Sequence, residues 1–310
     1  MSSSKPATSA VHAFLDLART RIVVMEMVAC SIAFILAYHD SFPLVRFVWT
    51  LLVTGLVTAG ACALNCYIER DYDALMERTC QRPLPAGIIS PAQALVFGVS
   101  LVALGSVLAF VQIGTLCGTL CLALVFLYLA IYTPAKRLTW LNTSIGAVPG
   151  AVPPLIGWAA ARGEIDLGGW IFFALLFVWQ HTHFFPIAWL YKDDYARAGF
   201  RMLPLLDNNG KKTFLLTVLS AIGLLPISFF LYREDFTGLY CFTASTLGAI
   251  ILIAAGVRLF RNPSRASALA VLALSLFYLP VILAAVILDR CGAQVAGQLL
   301  VWLEIVGRWT

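Results

Sequence analysis

Asn65, Glu69 and Asp73 recur every four residues within NCYIERDYDALMERTCQRPLPAG, the stretch from Asn65 to Gly87. On a helix turning about 100° per residue they fall within an arc of about 80°, so one face presents an amide and two carboxylates. Hard oxygen donors in that arrangement suit Mg²⁺, which commonly bridges one or two carboxylates to phosphate oxygens. The plainer alternative is a set of interfacial charges paired with Arg70 and Arg78. The whole stretch sets Glu69, Asp71, Asp73 and Glu77 beside Arg70, Arg78 and Arg82 at the end of an apolar run. A charge at membrane depth costs at least ~2.5–3.5 kcal/mol, so such a cluster is either functional or at the membrane surface. We expect both.

A second acidic group lies in YKDDYARAGFRMLP, where Asp193 and Asp194 follow directly on an apolar run and Asp207 comes a little later. Adjacent carboxylates repel, and a metal ion, basic neighbours or surface hydration would each relieve the strain. Between the acidic groups, YTPAKRLTWLN supplies Lys136 and Arg137, the cation types that usually meet phosphate oxygens. Ordinary loop charges would look the same until both acidic groups are counted with them. Together they describe a magnesium diphosphate site.

Two further runs carry polar or backbone chemistry inside apolar sequence. NTSIGAVPGAVPPLIGWAA combines Gly146, Gly150 and Gly157 with Pro149, Pro153 and Pro154, which predicts a kinked helix forming a cavity wall. WQHTHFFPIAW holds His181 and His183, which on a regular helix point about 200° apart, so one of them faces inward. An intramembrane histidine is a functional candidate, with a hydrogen-bonded interior role as the alternative.

The elements that must position these residues are membrane helices. Of 310 residues 61% are hydrophobic and only 12% charged, and the mean hydropathy is +0.88, where soluble domains carry charge on about a quarter of residues. Nine apolar runs are long enough to span, roughly 22–38, 47–68, 92–111, 114–132, 142–160, 168–190, 213–232, 237–257 and 267–288. They are continuous rather than alternating, which excludes a β-barrel. The expected fold is all-α, a polytopic nine-helix bundle in a single domain spanning 1–310.

Of the 21 Lys and Arg residues, 16 fall in the amino-terminal segment and every second loop, and five (Arg46, Arg162, Arg233, Arg290, Arg308) on the opposite side. That bias puts residues 1–20 in the cytoplasm, the tail 291–310 outside, and the unusual chemistry on the cytoplasmic face. The tail run 293–306 is mildly amphipathic and suited to the outer surface. The net charge of +5 follows this orientation and argues against a nucleic-acid partner. The eight cysteines form no CxxC pair and read as small lipid-compatible fillers. No cleavable leader is evident, and too few arginines precede the first run for a mitochondrial presequence, so a bacterial inner (plasma) membrane is expected.

Over roughly residues 15–290 the chain resembles the UbiA-type intramembrane prenyltransferases. The family pattern Asn-x-x-x-Asp-Arg-Asp-x-Asp, then Met-x-Arg-Thr and Arg-Pro-Leu, is matched by Asn65, Arg70, Asp71, Asp73, Met76, Arg78, Thr79, Arg82, Pro83 and Leu84. Cys66 and Glu69 depart from it. Tyr132-Thr133 with Lys136-Arg137, the GAVPGAVPPLIGWAA run, Trp179-Gln180, His183 and DDYARAGFRMLP are similar to the branch of the family that acts on haem. His181 and Thr182 depart from that branch's pattern.

The resemblance implies farnesyl transfer from farnesyl diphosphate to a vinyl group of haem B, with water addition, giving haem O for terminal oxidases. It implies Mg²⁺ at Glu69, Asp71, Asp73, Asp193 and Asp194, with Asn65 helping, and Asn65, Glu69, Asp73, Asp194, Lys136 and Arg137 in catalysis. The diphosphate would meet Arg70, Arg78, Arg82, Lys136 and Arg137, and the haem would meet His183 and Trp179. A haem A synthase or terminal oxidase assembly is the implied partner, beside the lipid bilayer. A sister enzyme for an aromatic acid or chlorin would lack the haem-type middle segments, and a transporter would hold its charges near the bilayer midplane.

Overall fold

A computed structural model describes residues 10–38, 42–207 and 209–307, with side chains described to residue 292. Residues 1–9 of the amino-terminal segment, residues 308–310, and the side chains of the run 293–306 lie outside the described residues. Among the described residues there is no strand, and nine helices are long and apolar enough to cross a membrane. Their number and order match the nine runs read from the sequence.

A short helix α1 (Ala10–Leu17) precedes α2 (Thr20–Ala37), and the two are separated at Arg19, whose φ of 51° lies in the left-handed region. The second span, α3 (Leu44–Asp73), runs on past its apolar part, so Asn65, Glu69 and Asp73 are carried on one regular helix. Next come α4 (Pro91–Leu108), closed by a π turn (Ala109–Ile113), and α5 (Thr115–Phe126), which passes through a second π turn (Leu127–Tyr132) into α6 (Thr133–Leu138). Ser90 and Gln93 form a capping box at the start of α4, satisfying two backbone donors that the helix leaves open.

The proline-rich span divides as expected, into α7 (Asn142–Gly150) and α8 (Val152–Arg162), with the break at Ala151. Then follow α9 (Leu167–Leu190), the short α10 (Lys192–Arg197), α11 (Lys211–Arg233), α12 (Leu239–Arg261) and α13 (Arg265–Gly307). Asp207 is spent on structure. Its carboxylate accepts from the Thr213 amide at 2.8 Å and the Thr213 hydroxyl at 3.0 Å, capping α11. Asp289 of α13 likewise accepts from the Tyr240 and Cys241 amides at the start of α12.

Neighbouring spans pack in sequence order, and α13 returns to α2, so the helices close into a ring with α2 also crossing to α8. Close approach at that crossing requires Gly157, where a Cβ would overlap the Cys30 carbonyl. One apolar cluster joins α2, α8, α9 and α11–α13, and another joins α2, α3, α5 and α8. The outward faces keep large apolar residues such as Val107, Phe126, Ile251 and Phe277 exposed, which in a bilayer is the solvated state.

Candidate active site

A cavity of about 340 Å³ opens between α2, α3, α5–α9 and the loops flanking α10. Its polar end is made by Glu69 and Asp73 of α3, Lys136 of α6, and Arg78 and Arg82 of the segment after α3. Glu69 is 4% exposed and Asp73 1%. Each is balanced by one cation: Lys136 Nζ lies 2.6 Å from Glu69 Oε1 and 2.9 Å from Oε2, and Arg82 Nη1 lies 2.9 Å from Asp73 Oδ2. A buried carboxylate without such a partner would carry a heavy desolvation cost.

Asn65 sits one turn further in on the same face, fully buried. Its amide donates to Thr133 Oγ1 at 2.9 Å and its carbonyl oxygen accepts from Tyr128 at 3.4 Å. It braces α3 against α5 and α6 beneath the charges. Tyr128 and Tyr132 stack with centroids 5.5 Å apart, and both line the cavity. Gly146 leaves the room that Tyr132 needs, since a Cβ there would overlap its ring.

The segment after α3 is held down from the side by Asp194. One carboxylate oxygen accepts from the Glu77 amide at 3.0 Å and the other from the Arg78 amide at 3.3 Å, while Arg197 bonds the first and also lies 3.1 Å from Glu77. Burial alone would raise the Asp194 carboxyl, but the bonds from Arg197 and the two amides outweigh it and hold the group below the usual carboxylate range. Arg78 is thereby fixed over the cavity, 4.8 Å from the Tyr191 ring and with Nη2 3.3 Å from the Tyr195 hydroxyl.

The site residues expected from sequence thus divide. Glu69, Asp73, Arg78, Arg82, Lys136 and His183 line the cavity. Asp71 is two residues round the helix from Glu69, its side chain 80% exposed and nearest to Arg70 at 3.7 Å. Arg70 itself bonds the Tyr67 carbonyl, Arg137 is exposed and bonds the Tyr72 hydroxyl, and Asp193 is exposed. Among the described residues no three His, Cys, Asp or Glu side chains converge as a metal cluster. Of the acids expected to hold Mg²⁺, Glu69 and Asp73 lie on the cavity wall, and their hard oxygens suit an ion that completes its shell with water and substrate phosphates. Asp194 acts here on the backbone and not within the cavity wall.

At the other wall the two histidines have different surroundings. His181 Nδ1 meets the Phe177 carbonyl at 2.7 Å and must donate to it, so Nε2 accepts from the Ser144 hydroxyl at 2.9 Å. Both nitrogens are satisfied, and His181 is outside the cavity lining. His183 Nδ1 meets Ser275 Oγ at 2.8 Å. Ser275 has one proton, donated to the Leu272 carbonyl at 2.8 Å, so His183 Nδ1 is the donor and Nε2 keeps its lone pair. Trp179 stacks on that ring at 5.3 Å and donates to the Ser275 carbonyl at 3.0 Å.

Sequence reasoning missed two cavity residues on α2 and its entry, Arg19 and Glu26. The backbone reversal at Arg19 turns its side chain inward toward Tyr128, and its Nε is buried with no partner. No local pattern announces that reversal. Glu26 was findable, as a lone acid inside an apolar run.

Comparison with known proteins places this geometry. The UbiA prenyltransferase family matches residues 27–288. A protein from Solibacter usitatus named protoheme IX farnesyltransferase is 38% identical over 289 residues, covering 90% of this chain and 99% of its own. One of the same name from Opitutus terrae is 34% identical over 291 residues, covering 93% and 98%. A solved UbiA homolog from Archaeoglobus fulgidus, bound to GPP and Mg²⁺, superposes with a TM-score of 0.63 at 16% identity, covering 88% of this chain and 99% of its own. With its ring of membrane-length helices and its acidic face on α3, the chain belongs to the UbiA prenyltransferase family.

Proposed function

We propose that the protein transfers a farnesyl group from farnesyl diphosphate to a vinyl group of haem B, with water addition, giving haem O. The observation that carries this reading is one cavity with two chemistries: paired buried ions at one end, and aromatic rings with the His183 lone pair along the wall. The names of the relatives from Solibacter and Opitutus support the same substrates.

Glu69 and Asp73 would hold Mg²⁺, which supplies neutralisation of diphosphate charge, and the Archaeoglobus neighbour's GPP and Mg²⁺ support that assignment. Lys136 and Arg82 exchange part of their pairing with the carboxylates for the diphosphate oxygens, and Arg78 closes over them. Charge developing on the leaving group meets donors already in place. The diphosphate departs with the C–O electron pair, and the vinyl π electrons attack the allylic cation. Tyr128 and Tyr132 offer ring faces to that cation and exclude early water. His183 Nε2 is the group that would ligate haem iron. The 16-to-5 bias of basic residues supports a cytoplasmic amino terminus, and the scarcity of arginines before the first span supports a bacterial inner membrane over a mitochondrial one.

Purified protein with haem B, farnesyl diphosphate and Mg²⁺ tests the reading. Haem O is the expected product by mass, and chelation should stop its formation. Unchanged porphyrin, or transfer to a phenolic acid instead, would overturn it.

A further inference from the structure

Glu26 lies in the second turn of α2, half-buried, and lines the cavity. Among the described residues it has no hydrogen bond and no ion pair. Cys62, on the facing α3, lines the same cavity. Cys62 is seven residues before Glu69, about 10 Å along α3 from the ionic end. On that facing helix Thr58 also lines the cavity, 6% exposed, and its buried hydroxyl has no hydrogen-bond partner. The other two cavity carboxylates are occupied by Lys136 and Arg82. Glu26 is therefore the cavity carboxylate with its oxygens open to a ligand. An ionisable group at membrane depth is costly, so an unpartnered one facing a cavity calls for something that it binds there.

The reaction proposed above generates such a ligand. When the terminal vinyl carbon bonds the farnesyl C1, the positive charge moves to the carbon attached to the porphyrin ring. That carbon lies two bonds beyond C1 and so further from the departing diphosphate. Water must meet it there, and an ordered water needs two or more polar partners. We propose that Glu26, with the Thr58 hydroxyl, holds this water and that Glu26 takes its proton. The water oxygen forms the new C–O bond, an O–H bond breaks, and the carboxylate becomes a carboxylic acid, leaving a neutral hydroxyl on the porphyrin side chain. This inference rests on the haem reading.

The purified enzyme, its Glu26→Gln and Glu26→Asp variants, and Thr58→Val are each supplied with haem B, farnesyl diphosphate and Mg²⁺, and products are separated by mass. In Glu26→Gln the hydroxylated product should fall about 10²-fold, the low end of what a positioned base contributes. A farnesylated porphyrin one water lighter should take its place, because the cation then loses a neighbouring proton to become an alkene. Glu26→Asp should restore part of the hydroxylated product, and Thr58→Val should shift the ratio the same way but less. A helix-packing role for Glu26 would slow both products together and leave their ratio alone. Wild-type proportions in Glu26→Gln, or loss of all transfer with no recovery in Glu26→Asp, would overturn the assignment. If the wild-type enzyme farnesylates no haem, the acceptor reading itself falls, and this inference with it.

Discussion

Glu69 and Lys136 are each almost wholly buried, so neither tolerates loss of the other. Glu69→Gln leaves an unmatched ammonium in the wall, a change that costs about 3–5 kcal/mol for buried pairs. We expect a clearly lowered melting temperature and no turnover. Pairing it with Lys136→Met should recover the melting temperature without recovering turnover, which separates structural from chemical need. A double variant that stays as unstable as Glu69→Gln would refute this account of the pair. For the histidines the outcome differs in kind. His183→Ala should abolish the shift in the haem absorption band on binding while the protein stays folded, and His181→Ala should lower the melting temperature and keep the band. The helical spacing of Asn65, Glu69 and Asp73 was legible because one regular helix carries all three. Spacing alone left the two histidines open; the family resemblance chose His183, which lines the cavity, while the Ser275 contact that sets its tautomer lies 92 residues away and was not legible.

The segment after α3 and the short α10 form a clip, and Asp194 is its fastener. We expect Asp194→Asn to raise KM for farnesyl diphosphate roughly tenfold or more, with kcat less affected, because it frees Arg78 without removing a cavity carboxylate. Its depressed carboxyl sets the pH dependence: the clip's contribution is present at neutral pH and is lost as pH falls through the lowered value. An assay held near pH 7 will therefore not see it titrate. Equal losses in kcat, with KM unchanged, would put Asp194 back among groups acting on the reaction itself. The acidic pair in YKDDYARAGF was visible in sequence, but its use was not. Two amides 116 and 117 residues away decide it. On α7, Gly150 stands against the Gln180 amide, so Gly150→Val should push Gln180 into the cavity and reduce acceptor binding more than stability.

At the scale of the molecule, the nine spans among the described residues were legible because bilayer solubility acts on every residue of a run at once. Ring closure was not, since it joins α13 to α2 across most of the sequence. The orientation bias predicts that a cysteine placed near residue 264 is labelled only after the membrane is opened, whereas one near 163 is labelled in intact cells. The reverse pattern would invert the topology. Ring closure also bears on synthesis. Ser275 accepts from both Trp179 and His183, so the wall of the sixth span takes its final form only when the ninth has been made and inserted. A nascent chain stopped before α13 holds every ionic group of the diphosphate end but lacks the fastening of its acceptor wall. The ribosome therefore releases an enzyme whose two halves mature at different times, and the cavity is finished last.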